Sequence, residues 1–165
     1  MQVQLDKFDL MILTELQRDC SISTSELADR VGLSQSPCWR RIQRLKDDGF
    51  IKRNVAVLDK SKLGHLNYIY AFLRMATLKD HERDEFIRHI ESTPEILECH
   101  TVFGDMDILL KVIAPSVEWY QTFVFKKLSQ LPGVLNVQST ITLQEIKFTT
   151  ELPVQRIINL TNTNQ

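Results

Sequence analysis

The chain has 165 residues, 43% of them hydrophobic and 25% charged, an ordinary globular composition that argues against disorder. Twenty basic residues face twenty-one acidic ones, so the net charge is −1 and neither a uniformly basic nucleic-acid coat nor an acidic solvating tail is present. No apolar run reaches the roughly 18–20 residues of a membrane helix, and the opening MQVQLDKFDL lacks the basic start and apolar core of a signal peptide; a cytoplasmic protein without membrane contact is expected.

In chain order, the first sixty residues read as three helices. The first starts at Asp6, which caps it; Asp9 sits three residues later in the positive first turn, Leu5 staples onto Leu10, and the apolar stripe runs on through Ile12, Leu13 and Leu16. Ser23-Thr24-Ser25-Glu26 is a capping box opening a second helix through Leu27, Ala28 and Val31, which stops at Gly32. Ser34 caps the third, where Pro37 is tolerated in the first turn and Cys38, Ile42 and Leu45 supply the buried face. Gly49 ends it, and Phe50 to Leu58 alternates as a short extended segment.

Residues 54–67 dilute the apolar content with Asp59, Lys60, Ser61 and Gly64 and read as a connection. Beyond them the spacing predicts a strand over 68–75, a helix over 80–92, strands over 96–103 and 108–114 joined by Gly104-Asp105-Met106-Asp107, a helix opened by Pro115-Ser116 and running to Leu131, and a long strand over 134–148. The order β-α-β-β-α-β is the ferredoxin-like split βαβ arrangement. The fold class is therefore α+β.

The charge total hides a local imbalance. Between Ser34 and Arg53, six basic residues (Arg40, Arg41, Arg44, Lys46, Lys52, Arg53) stand against Asp47 and Asp48 alone, so any polyanion contact belongs to this stretch. The helices at 23–31 and 34–48 have the marks of a DNA-binding helix-turn-helix: Ala28 for close approach, Gly32 for the turn, Leu33 to plug the angle. On a helical wheel Ser36, Arg40, Gln43 and Arg44 lie away from the core face with Trp39 beside them. Ser34, Gln35 and Arg41 are expected at phosphates or bases near the helix start, and Lys52 and Arg53 at phosphates beyond its end. Arg41 occupies a position where the general pattern wants an apolar residue; Ile42, one later, supplies it.

These residues, Leu5-Asp6-x-x-Asp9 and the run from Leu27-Ala28 through Gly32-Leu33-Ser34-x-Ser36-Pro37-Cys38-Trp39-Arg40-Arg41-Ile42 to Gly49-Phe50-Ile51, closely resemble the Lrp/AsnC (leucine-responsive, feast/famine) transcription regulators. The likeness extends from about Leu5 to Pro153. It implies a winged helix-turn-helix domain over 1–53, a linker over 54–67, a ferredoxin-like sensing and dimerisation domain over 68–153 and a polar tail over 154–165. The partners it implies are double-stranded DNA, a second copy of the chain in a dimer that assembles further to a tetramer or octamer, and a small amino acid effector; no cofactor is implied. The effector is expected at Gly104, Asp105, Met106 and Asp107, where a tight turn exposes backbone N–H groups to a carboxylate and acidic side chains meet an ammonium. Met106 stands where family members often carry an aromatic residue, which favours a small aliphatic or sulfur-containing effector.

Other chemistry is poorly supported. Cys20, Cys38 and Cys99 are odd in number and far apart, and Cys99-His100 has no partners at ligand spacing, so no disulfide framework or metal site is signalled. No phosphate loop, zincin or hydrolase motif is present. Two other functions remain in view: a protein- or small-molecule-binding module without a DNA target, which salt-dependent DNA binding distinguishes, and a ferredoxin-like enzyme, for which no nucleophile–base pair stands out.

Overall fold

Asp6 caps the first helix, α1 (Lys7–Arg18), in a capping box: its side chain accepts the Asp9 backbone N–H while the Asp9 side chain accepts that of Asp6. The Ser23 hydroxyl accepts from the backbone of Glu26 at the start of α2 (Thr24–Val31), and Gly32 closes that helix in the left-handed conformation at φ 72°. Ser34 occupies the cap position of α3 (Gln35–Asp47) but makes no capping bond there. A cap side chain bonds to the N–H of the second or third helical residue, and the third residue here is Pro37, which has none. The expectation that Ser34 caps by its side chain is thus corrected by the proline three positions on.

The computed structural model describes residues 5–156; residues 1–4 and 157–165, which belong to the expected first domain and polar tail, lie outside the described residues. The chain divides into two units, one running to Val57 and resuming at Lys147, the other Leu58–Ile146. In the first unit Ile12, Leu13, Leu27, Ala28, Val31, Cys38, Ile42 and Leu45 make a single apolar core. Residues 51–59 carry no regular secondary structure. The stretch 147–153, expected with the second domain, groups with the first: the Gln17 side-chain amide accepts from the Leu152 N–H at 2.7 Å and donates to its carbonyl at 3.2 Å, much as a neighbouring strand would.

In the second unit β1 (Asn67–Met75), α4 (Asp80–Glu91), β2 (Ile96–Thr101), β3 (Ile108–Ala114), α5 (Val117–Lys126) and β4 (Val134–Ile141) follow in the predicted order. The sheet order is β2-β3-β1-β4, antiparallel throughout, so each β-α-β crossover spans one intervening strand. Strand alternation puts Ile69, Ala71, Leu73, Leu110 and Val112 on one face, where Phe86 and Ile90 of α4 and Tyr120 and Phe123 of α5 cover them. Tyr68, Tyr70, Phe72, Leu109 and Ile113 lie on the opposite face, half-buried.

Three boundaries differ from expectation. The second strand ends at Thr101 rather than 103, and α5 gives way near its end to a 3-10 turn at Leu128–Gln130. The last strand ends at Ile141 rather than 148. The neighbour of β4 is β1, and the Thr142 N–H bonds to the Tyr68 carbonyl close to where β1 begins; past that point β4 has no strand left to pair with.

Candidate nucleic-acid interface and ligand turn

The turn between α2 and α3 is built as its residue types require. Ala28 is buried, the Leu33 N–H bonds to the Ala28 carbonyl at 2.9 Å, and Gly32 supplies the positive φ that a side chain disfavours. With Cys38, Ile42 and Leu45 turned inward, α3 exposes Ser36, Trp39 and Arg40 along its N-terminal half, with Gln43 half-buried one turn on. Trp39 is 53% exposed, unusual for so large an apolar ring unless a partner covers it. Among the described residues Arg40, Lys52 and Arg53 are exposed and no carboxylate lies in ion-pair range of any of them.

Arg41, expected at phosphates or bases near the helix start, and Arg44, set by the wheel beside Arg40, both have carboxylate partners. Both turn back to the start of α1. The Arg41 Nη1 donates to Asp6 Oδ2 at 2.6 Å and to Asp9 Oδ1 at 2.8 Å, and its guanidinium lies 5.5 Å from the centre of the Phe8 ring. Arg44 pairs with Asp9 Oδ2 at 2.5 Å. Asp9 is 1% exposed, a buried carboxylate that is tolerable only because both oxygens are occupied. Burial works against the Arg41 charge, but the bonds to Asp6 and Asp9 outweigh it and hold its pKa above the usual arginine value. At Asp6 burial is likewise outweighed, by the Asp9 N–H and by Arg41, and the carboxyl titrates below the ordinary range. A wheel gives the angle of a side chain and not what is packed there. The signal that was available was Arg41 itself, at a position that calls for an apolar residue: a charged head held there needs carboxylates, which Asp6 and Asp9 provide.

In the second unit Gly104-Asp105-Met106-Asp107 joins β2 to β3, with Gly104 at φ 154°. Its two acidic residues have different surroundings. The Asp107 N–H bonds to the Leu73 carbonyl, its carbonyl accepts from Val102, and its Oδ2 accepts the Met75 N–H at 2.7 Å, tying the turn to the end of β1. Asp105 is exposed and Met106 half-buried. A Cβ built on Gly104 would meet no atom within 4 Å, so the backbone there faces open space.

Among the described residues no three His, Cys, Asp or Glu side chains gather as a metal site. The cysteines are free thiols, and His100 lies 3.3 Å from Glu98, which also holds Lys111. Sequence reading missed an apolar cavity of about 720 Å³ in the first unit, lined by Leu13 and Leu16 of α1, Ile51, Val55 and Val57 of the extended segment, and Leu152. No helix of the described residues is long and apolar enough to cross a membrane.

Comparison with known proteins bears on both regions. Residues 5–52 match the model for winged helix-turn-helix DNA-binding domains, and residues 71–152 match that for the Lrp/AsnC ligand binding domain. The chain is 35% identical over 155 residues to the DNA-binding transcriptional activator DecR of Escherichia coli, covering 92% of this chain and 99% of that one. It is also 35% identical to the glutamate uptake regulatory protein of Zymomonas mobilis, covering 92% of each. Among solved structures it is similar to a transcriptional regulator of Neisseria meningitidis in complex with L-Met, at 33% identity and a TM-score of 0.88 over 93% of this chain and 99% of that one.

Proposed function

Because this chain belongs to the Lrp/AsnC family of DNA-binding transcriptional regulators, we propose that it binds a specific operator as a homodimer and changes that binding when a small amino acid occupies the turn at residues 104–107. The observation that carries the DNA side of this reading is the exposed N-terminal half of α3, where Arg40 and Trp39 project from a helix-turn-helix core. Arg40, Ser36 and Gln43 face base edges, where an arginine recognises guanine through two parallel hydrogen bonds. The Ser34 hydroxyl, which has no capping bond, and the first-turn N–H groups of Gln35 and Ser36, without a backbone partner among the described residues, take a phosphate. Lys52 and Arg53 take phosphates further along, and Trp39 packs against the backbone sugars.

Two sets of apolar residues, one half-buried and one exposed, support self-association. Tyr68, Tyr70, Phe72, Leu109 and Ile113 form an aromatic and aliphatic stripe on the sheet face opposite α4 and α5, and Leu143 and Ile146 are 100% and 93% exposed. A twofold dimer sets two copies of α3 against half-sites about 34–36 Å apart, one DNA turn. Further assembly to a tetramer or octamer would draw on the same surplus of apolar surface. We infer that the protein works in the cytoplasm on nucleoid DNA, at genes of amino-acid metabolism or transport.

At the ligand turn, Gly104 and its neighbours offer backbone N–H groups to a carboxylate, and Asp105 meets the ammonium. Asp107, engaged with Met75, shapes the turn. The flexible thioether of Met106 suits a small aliphatic or sulfur-containing side chain. A thermal-shift screen of the full chain against the twenty amino acids tests this, since a ligand that binds only the folded state raises the melting temperature. Leucine, methionine, cysteine or alanine is the expected hit, and Gly104→Leu, whose side chain would stand over the turn and strain its backbone at φ 154°, should abolish it. No shift with any amino acid, together with normal regulation by the Gly104 variant, would refute the effector reading and leave the DNA reading intact.

A further inference from the structure

Four of the six basic residues between Ser34 and Arg53, namely Arg40, Arg41, Arg44 and Lys46, lie on α3, yet the structure treats its three arginines unequally. Arg40 is exposed with no acidic partner among the described residues, whereas Arg41 and Arg44 share Asp9 and Arg41 also holds Asp6. Two guanidinium groups are thus matched by two carboxylates of α1, one of them 1% exposed. Packing alone does not ask for this, because an aliphatic side chain at residue 41 would fill the same helix–helix contact without burying a charge.

Its consequence falls on DNA binding. A cation within a Debye length of a phosphate, about 8–10 Å at physiological salt, adds attraction that is the same for every sequence. An arginine already neutralised by a buried carboxylate adds almost none. We propose that Asp9 is a specificity-determining residue: it occupies Arg41 and Arg44 in place of phosphate, lowers sequence-independent affinity, and leaves discrimination to Arg40 and its neighbours. Asp9 touches no base or phosphate; it acts through the two arginines. This rests on the reading of α3 as the DNA-contacting helix.

The test uses the full chain, an operator duplex selected from a random pool, and a scrambled duplex of equal length, each titrated across a range of KCl. Asp9→Asn keeps the size and the oxygen that accepts the Asp6 N–H but removes the charge that Arg41 and Arg44 share; Asp6 still holds Arg41, so Arg44 is the guanidinium set free. The slope of log affinity against log salt should steepen by about 0.9 for each phosphate newly contacted, affinity for the scrambled duplex should rise about tenfold, and the ratio of operator to scrambled affinity should fall. A merely structural role would weaken both duplexes together and leave the slope unchanged or shallower, which overturns the proposal. Arg44→Gln carries the test even if the Asp9 variant fails to fold. With Arg44 already neutralised, the slope should match wild type, and the carboxylate charge left uncompensated should lower affinity for both duplexes alike, whereas a slope shallower by about 0.9 overturns the proposal. Lys52→Gln, which removes a residue read as a phosphate contact, is the reference, expected to lose that amount of slope. If wild type itself shows no salt-dependent affinity for either duplex, the underlying DNA reading falls, an outcome distinct from failure of the Asp9 role alone.

Discussion

The Oδ2 of Asp107 accepts the backbone N–H of Met75 at 2.7 Å, so an acidic residue of the β2–β3 turn holds the end of the inner strand β1. Asp105, two residues earlier, is exposed. The two carboxylates, both expected to meet the effector, therefore differ in what holds them within the fold.

Replacing them should separate stability from ligand affinity. Asp107→Ala removes a charge-assisted bond to backbone and should cost the second unit about 1–2 kcal/mol, read from its urea midpoint. Asp105→Ala should stay within about 0.5 kcal/mol of wild type in the same titration while weakening amino-acid binding in calorimetry. Equal loss of stability in both variants would contradict the division.

Two serines at helix starts should also behave differently. Ser23 accepts the Glu26 N–H, so Ser23→Ala should destabilise the first unit by about 1 kcal/mol. Ser34 makes no capping bond, so Ser34→Ala should change stability by less than about 0.5 kcal/mol. Gel-shift titrations should show the reverse order of effects, with Ser34→Ala the more damaging to operator affinity.

Arg40→Ala should reduce operator affinity by about 1–3 kcal/mol and relax preference at one base position, as loss of a base-reading arginine does. Lys52→Ala or Arg53→Ala should instead lower affinity for all sequences and reduce the salt slope by about one. Operator selection and salt titration on the same variants distinguish the two patterns.

Leu45 is fully buried at the centre of the three-helix core, and Leu45→Ala should cost about 2–5 kcal/mol through lost transfer energy and the cavity left behind. Hydrogen exchange should show the loss of protection in α1, α2 and α3. Protection of β1 and β3, which belong to the other unit, should persist.

Acid should loosen the contact between α1 and α3. The Asp6 carboxyl titrates lower in the folded chain than its usual value near 3.9. The unfolded state therefore binds its proton first as pH falls. The stabilisation is complete at neutral pH and is lost progressively below about pH 4. Thermal melts of Asp6→Asn should lack that component of the acid transition, while wild type keeps it.

Much of this architecture was legible in the residues themselves. Helix starts at Asp6 and Ser23, the stop at Gly32 and the alternation of β1 and β3 are local signals, set by bonds within a few residues or by which face of an element is apolar. The helix-turn-helix core followed from the spacing of Ala28, Gly32, Leu33 and Cys38, and the β2–β3 turn from a Gly-Asp-x-Asp run between two strands. Other features depend on partners far away in sequence. Arg41 and Arg44 were legible as basic residues, but the carboxylates that neutralise them stand 32 to 35 residues earlier, on a helix whose approach only packing decides. The end of β4 at Ile141 depends on where β1 begins, some seventy residues before it. Asp105 and Asp107 are the same residue type in the same turn, and only the approach of the β1 backbone to one of them gives them different work. Local pattern determines which element forms and which face it buries; the partner of each charged group is decided when those faces meet, because a buried charge is stable only where the tertiary fold supplies its counterpart.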